Sequence, residues 1–249
     1  AMAGAGLGGL AAGYGLSPLP HFVLAAVVSA AATAAWSRRL LPAAVDAAPH
    51  GPMLAWPSRA LLGLSALAYC MVLSEGAMAD WTALYLGRVL SAHAGVAALG
   101  YACFSGAMMV GRALGDRLAD RLGRVNLVRC GTLLGAAGLA AALLAPSAPL
   151  ALAGFTVAGA GFSVVVPMVF AAAARRGRTP GLGMATVMTA GYAGLLTGPP
   201  AIGTLAAAFS LRAALLLPVA LVLGAFALAG RTAPPAPTAA PDPCLNNNS

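Results

Sequence analysis

Gly111-Arg112-Ala113-Leu114-Gly115-Asp116-Arg117-Leu118-Ala119-Asp120-Arg121-Leu122-Gly123-Arg124 is the stretch on which the reading of the fold turns. Arginines and aspartates gather here, while long apolar segments lie on both sides. The simplest description is a short charged loop between two membrane spans.

The composition supports spans rather than a soluble core. Hydrophobic residues make up 60% of the 249 and charged residues 8%. A soluble domain carries about 25% charge, so this chain lacks the polar residues to cover a water-facing surface. It reads as an all-α, polytopic transmembrane bundle, with room for roughly seven spans of about 20 residues. The net charge of +8 comes from arginine alone among the cations. No basic face interleaved with aromatics is present, which excludes nucleic acid as a partner. Cys70, Cys103, Cys130 and Cys244 show no C-x-x-C spacing and read as small packing residues.

Working outward, residues 1–16 are apolar and glycine-dense, the end of a helix whose start is missing, so the chain opens as a fragment would. Ser17 to Ser37 is uncharged and ends at Trp36 and Arg38-Arg39, a full span with an interfacial tryptophan and a basic stop. Residues 38–57 contain Pro42, Pro49, Pro52 and Pro57 and read as a linker. Spans are expected from Ser58 to about Leu86, from Gly95 to Arg112, on either side of the Pro146–Pro149 turn, at about 180–208 and at about 211–230. Residues 232–249 read as a disordered tail. The expected domains are therefore 1–37, 38–57, 58–231 and 232–249.

Alternating spans place Arg38, Arg39, Arg59, Arg112, Arg117, Arg121, Arg124, Arg129, Arg175, Arg176, Arg178 and Arg231 on one side. Arg88 and Arg212 fall on the other. The excess of positive charge makes the first side cytoplasmic, and with it the linker, the Arg112–Arg129 loop and the C-terminal tail.

The Asp120-Arg121-x-Gly123-Arg124 core resembles the signature loop of the major facilitator superfamily, G-x-x-x-D-R-x-G-R. The first glycine of that motif falls on Asp116, with Gly115 one place early. The six spans after the linker are similar to the second half of such a transporter, with residues 1–37 as the end of the first half. Glu75-Gly76-Ala77-Met78-Ala79-Asp80-Trp81 and Gly198-Pro199-Pro200-Ala201-Ile202-Gly203 resemble the seventh and eleventh helices of bacterial fucose and sugar permeases. The resemblance implies a secondary transporter that moves a small solute by alternating access, with a sugar or related metabolite or a drug-like compound as candidate solutes and protons as the candidate coupling ion. It also implies a missing N-terminal bundle as partner, on the same chain or another, beside the lipid bilayer. A truncated half-transporter acting as a non-transporting membrane module is the alternative.

The resemblance further implies a conformational latch of Asp116, Arg117, Asp120, Arg121, Gly123 and Arg124. In it the Asp120 carboxylate approaches the N-terminus of the helix starting near Gly181, where unpaired N–H groups favour an anion. A solvated basic loop needed only for topology is the plainer reading.

Glu75 lies roughly 25 Å along its helix from Ser58, inside a hydrocarbon core about 30 Å thick. An acid there costs on the order of 2.5–3.5 kcal/mol on insertion scales and marks a pathway. Glu75 reads either as a proton carrier or as the structural partner of an arginine. Asp80, beside Trp81, reads as a solvated cap at the outer interface. Tyr69, Phe162, Ser163, Thr186, Thr189 and Tyr192 are candidate solute-lining residues, each with a packing or backbone-bonding alternative. Pro167, Pro199 and Pro200 are candidate hinges. His21, His50 and His93 stand alone near span ends. The sequence offers no metal-ligand cluster and no nucleophile–base spacing, so neither cofactor nor enzyme activity is expected.

Overall fold

A computed structural model describes residues 18–37 and 59–233. The expected partial helix over 1–16, the linker and the tail beyond Ala233 lie outside the described residues. The chain divides into two units, residues 1–56 and 57–249. In the first, α1 (Pro18–Ser37) is a helix of 20 residues. Its hydroxyls bond back onto their own turn, Thr33 to the Ser29 carbonyl and Ser37 to that of Ala34.

The second unit comprises α2 (Arg59–Val89), α3 (Ala94–Leu122), α4 (Arg124–Leu144), α5 (Ala148–Phe162), α6 (Val165–Arg176), α7 (Pro180–Ala208), α8 (Leu211–Ala214) and α9 (Leu216–Leu228), closed by a 3₁₀ turn at Ala229–Thr232. No strand occurs among the described residues. Five segments are long and apolar enough to cross a membrane: Leu61–Val89, Ala94–Leu122, Arg124–Leu144, Ala148–Arg176 and Leu211–Thr232. The all-α membrane bundle expected from the sequence is thus the architecture found. The uncharged α7 is long enough but is not among the five, because glycine, threonine and proline dilute its apolarity. It nevertheless runs the length of the unit beside α2 and parallel to it, with Gly194 against the Tyr69 carbonyl and Gly203 against the Trp81 ring.

Neighbour contacts fix the direction of every segment. Glycines of α3 follow α5 and α6 in parallel (Gly111 against Ser163, Gly115 against Val164), whereas α4 and α5 are antiparallel (Gly131 against Gly161, Gly138 against Gly154). Gly63 meets the Arg231 side chain while Ser74 meets Pro218, so α9 runs against α2. The segments therefore alternate. Arg117, Arg121, Arg124, Arg129, Arg175, Arg176, Arg178 and Arg231 collect at one end of the unit; Arg88 and Arg212 lie at the other.

Two corrections concern the decisive stretch. The helix expected to stop at Arg112 continues to Leu122. Alanine, leucine and arginine all favour helix, and charge does not end one; it lets the helix run on into water. Only Gly123 interrupts, at φ 74°, before α4 begins at Arg124. A side chain is disfavoured at that φ, which accounts for the glycine. Arg112 therefore sits well inside a helix and not in a loop.

Proline sets two further breaks. Pro167 cannot donate to the Ser163 carbonyl four residues earlier, and α5 gives way to α6 at Ser163-Val164. Pro218 stands in the same relation to Ala214, where α8 ends. By contrast Pro199 and Pro200 lie within an unbroken α7.

The core is aromatic at its centre and glycine-lined between α4 and α5. Phe104 meets Phe162 edge-on at 5.6 Å, and Tyr85 meets Phe155 in the same way at 6.2 Å. The fully buried Tyr85 hydroxyl donates to the Leu143 carbonyl at 2.9 Å. Carbonyls in the last turn of a helix have no partner of their own, so this bond closes the end of α4.

Candidate functional site

Glu75 and Arg112 form an ion pair, Nη2 to Oε1 at 3.3 Å. It is the one ion pair among the described residues. Both residues lie far from helix ends. Glu75 follows the start of α2 by about 24 Å, and Arg112 precedes the end of α3 by about 15 Å, at 1.5 Å per residue. Antiparallel packing of α2 and α3, with Gly100 against Thr82 and Leu86, brings the two to one depth. Of the two roles open for Glu75, an arginine partner is thus present.

The pair is not enclosed: the side chains are 46% (Arg112) and 31% (Glu75) exposed. Charges at mid-span face water or protein rather than hydrocarbon, so this face of α2 and α3 is not a lipid face. The single contact leaves Oε2 and most guanidinium donors open to water or a solute.

Tyr69, six residues before Glu75, is turned about 120° away from it around α2. It faces α7, where its hydroxyl lies 2.8 Å from Thr197 Oγ1. Thr197 donates to the Ala193 carbonyl at 2.8 Å, which leaves Tyr69 as the donor of the shared bond. On α7, Tyr192 is 57% exposed. Thr189 is exposed, with its hydroxyl donating to Ala185 O, and Thr186 donates to Leu182 O. Two lining candidates are corrected. Phe162 is 1% exposed and packs on Phe104; Ser163 is fully buried and donates to Ala160 O. The Phe162 ring is taken up by packing and the Ser163 hydroxyl by the Ala160 carbonyl, so neither offers a free group to a solute.

The latch contact is not made in this conformation. Among the described residues, Asp116, Arg117, Asp120, Arg121 and Arg124 form no hydrogen bond or ion pair through their side chains. The N-terminus of α7 is occupied by its own Thr179, whose hydroxyl accepts from Leu182 N at 3.2 Å. At the same end of the unit, Arg176 donates to Ala233 O at 2.8 Å, while Nε and Nη2 of Arg175 are buried with no partner. At the other end Asp80 is exposed, and the ring of the half-buried Trp81 packs inward, its Nε1 unpartnered. No cluster of His, Cys, Asp or Glu fit for a metal occurs among the described residues.

Thr197 and the pairing role of Arg112 escaped the sequence reading. Arg112 carried a usable signal, since Arg112, Asp116 and Asp120 are spaced four apart as on a continuous helix. Thr197 carried none.

Together these features define a polytopic helical membrane protein with a charged pair at mid-depth. The sequence profile of the Major Facilitator Superfamily matches residues 64–243, and the chain belongs to that superfamily. It is 37% identical over 210 residues to an uncharacterized MFS-type transporter of Yersinia pestis, covering 83% of this chain and 54% of that protein. It is 38% identical over 152 residues to the membrane protein MosC of Rhizobium meliloti, covering 61% of this chain and 37% of that one. The chain thus spans about half or less of the length of these relatives. Among solved structures, the peptide transporter POT in complex with sulfate superposes with a TM-score of 0.63 at 16% identity, over 75% of this chain and 40% of that chain. At that identity the likeness is one of fold.

Proposed function

We propose that residues 58–231 are the C-terminal half of a secondary transporter. It moves a small polar solute across a bacterial inner membrane by alternating access, with proton coupling through Glu75. The Glu75–Arg112 pair carries this reading, because an acid and a base at mid-depth on an open face offer a protonatable switch beside a solute path. Proton binding at Glu75 would release Arg112, and a change of partner at one site is what a two-state transporter needs. Tyr69, Thr189 and Tyr192 would line the path. Pro167, Pro199 and Pro200 would serve as bending points. Asp120 and its neighbouring arginines would latch the arginine-rich, cytoplasmic end in the opposite state. The resemblance of the Glu75 and Gly198 stretches to fucose permeases supports a sugar or related metabolite as solute.

The alternative reading is a half-bundle that transports nothing until joined by an N-terminal bundle. Both are tested in proteoliposomes holding a pH dye, with the chain alone and with that bundle supplied. Fucose and related sugars added outside are expected to drive proton entry when both halves are present. Glu75→Gln should cut that flux about tenfold or more, as loss of a general acid–base group does. Equal flux in Glu75→Gln would remove the proton role. Absence of both flux and solute counterflow in the joined protein would leave the non-transporting module.

A further inference from the structure

Toward the arginine-rich end, an apolar groove of about 470 Å³ runs between α3, α4 and α5. Val110, Leu114 and Leu118 form one wall, and Leu127, Cys130 and Leu134 the other. Its size falls within the ~300–1,000 Å³ of ligand sites. The lining carries no charge as far as Leu122 on α3 and Leu127 on α4. Arg121 stands one residue before Leu122 and Arg124 three before Leu127, both exposed, so arginines flank that end of the groove. Asp116 and Asp120 are each turned about 160° from Leu118 around α3, away from the groove. Neither Arg121 nor Arg124 has a partner among the described residues. Two exposed guanidinium groups beside the end of a greasy slot, with both aspartates turned away, make an end that lacks an anion.

We propose that this groove holds an acyl chain of an anionic phospholipid, with Arg121 and Arg124 at its phosphodiester. Basic pockets between membrane helices on the cytoplasmic side bind such headgroups, and arginine matches phosphate oxygens by paired donors. A second groove, of about 600 Å³ between α4 and α5, provides an internal contrast. It is lined by residues such as Leu144, Pro146, Leu150 and Val157 and lies at the end of the unit away from Arg121 and Arg124, so an acyl chain there has neither arginine beside its headgroup.

The test uses the purified 249-residue chain in neutral detergent, titrated with phosphatidylglycerol, phosphatidylcholine or inorganic phosphate and read by native mass spectrometry. Phosphatidylglycerol is expected to bind about thirtyfold more tightly than phosphatidylcholine, as two near-surface arginines imply. The double replacement Arg121→Gln/Arg124→Gln should erase that preference. Leu118→Trp, which fills the slot and keeps every arginine, should weaken phosphatidylglycerol binding as well. A fluorophore on Cys130 should be quenched by phosphatidylglycerol with brominated tails in the parent protein and not in Leu118→Trp. Equal binding of the two lipids would overturn the proposal. So would competition by millimolar phosphate alone, the mark of a free-anion site, or unchanged quenching in Leu118→Trp.

Discussion

Glu75→Gln is expected to destabilise the bundle more than Arg112→Gln, and the double replacement less than the sum of the two. Removing the acid leaves a guanidinium at mid-depth that cannot shed its proton. Removing the base leaves a carboxyl that one proton can neutralise. Breaking a fully buried pair costs about 3–5 kcal/mol. The open side of this pair reduces that to about 2–3 kcal/mol for Glu75→Gln and about 1–2 for Arg112→Gln. The coupling in a double-mutant cycle should be about 1–3 kcal/mol, read from reversible unfolding in mixed micelles. Strict additivity would mean that the 3.3 Å contact contributes nothing, and the switch at Glu75 would lose its basis.

The second large effect belongs to the α4–α5 contact. A Cβ on Gly138 would stand 2.5 Å from Ala158 N and 2.8 Å from Gly154 O. Both atoms are backbone, so no side chain can turn aside and the helices must part. Gly138→Ala is expected to cost about 2–3 kcal/mol, as overpacking does, and to lower the thermal midpoint accordingly. Gly224→Ala, where a Cβ meets nothing within 4 Å, should be neutral or gain up to about 1 kcal/mol from helix propensity. In lipid, where apolar surface alone drives little association, such backbone approach is what holds helices together. Similar midpoints for the two variants would show that α4 and α5 are less closely packed than described.

Much of the fold was legible in the sequence because a bilayer permits few arrangements. Uncharged runs separated by arginines and prolines gave the spans after residue 58. The Pro146–Pro149 turn separates α4 from α5 as expected. What misled was the charge of the decisive stretch. Arg112 resembled its neighbours Arg117 and Arg121 in type, and only the course of α3 separates it from them. The spacing of Arg112, Asp116 and Asp120 could place Arg112 on a helix, but not pair it with Glu75, for a related reason. The two lie 37 residues apart, and the pairing depends on how two helices are rotated against each other, which composition does not encode. Phe162 showed the limit of residue type, since an aromatic beside a serine reads the same on a cavity face as in a core. The kink near Pro167 was readable from its missing donor, but its position a turn earlier follows from which carbonyl loses its bond.

The claim beneath all of this is that the segments after residue 58 cross the membrane alternately, with their arginine-rich end on the cytoplasmic side. Single cysteines at Arg117, Arg178 and Arg212, in a chain whose four native cysteines are replaced, test it directly. With an impermeant maleimide applied to intact bacterial spheroplasts, Arg212→Cys is expected to be labelled. Arg117→Cys and Arg178→Cys should react only after the membrane is opened. Labelling of Arg117→Cys and Arg178→Cys from opposite sides would contradict the alternation, and with it the transporter half-bundle.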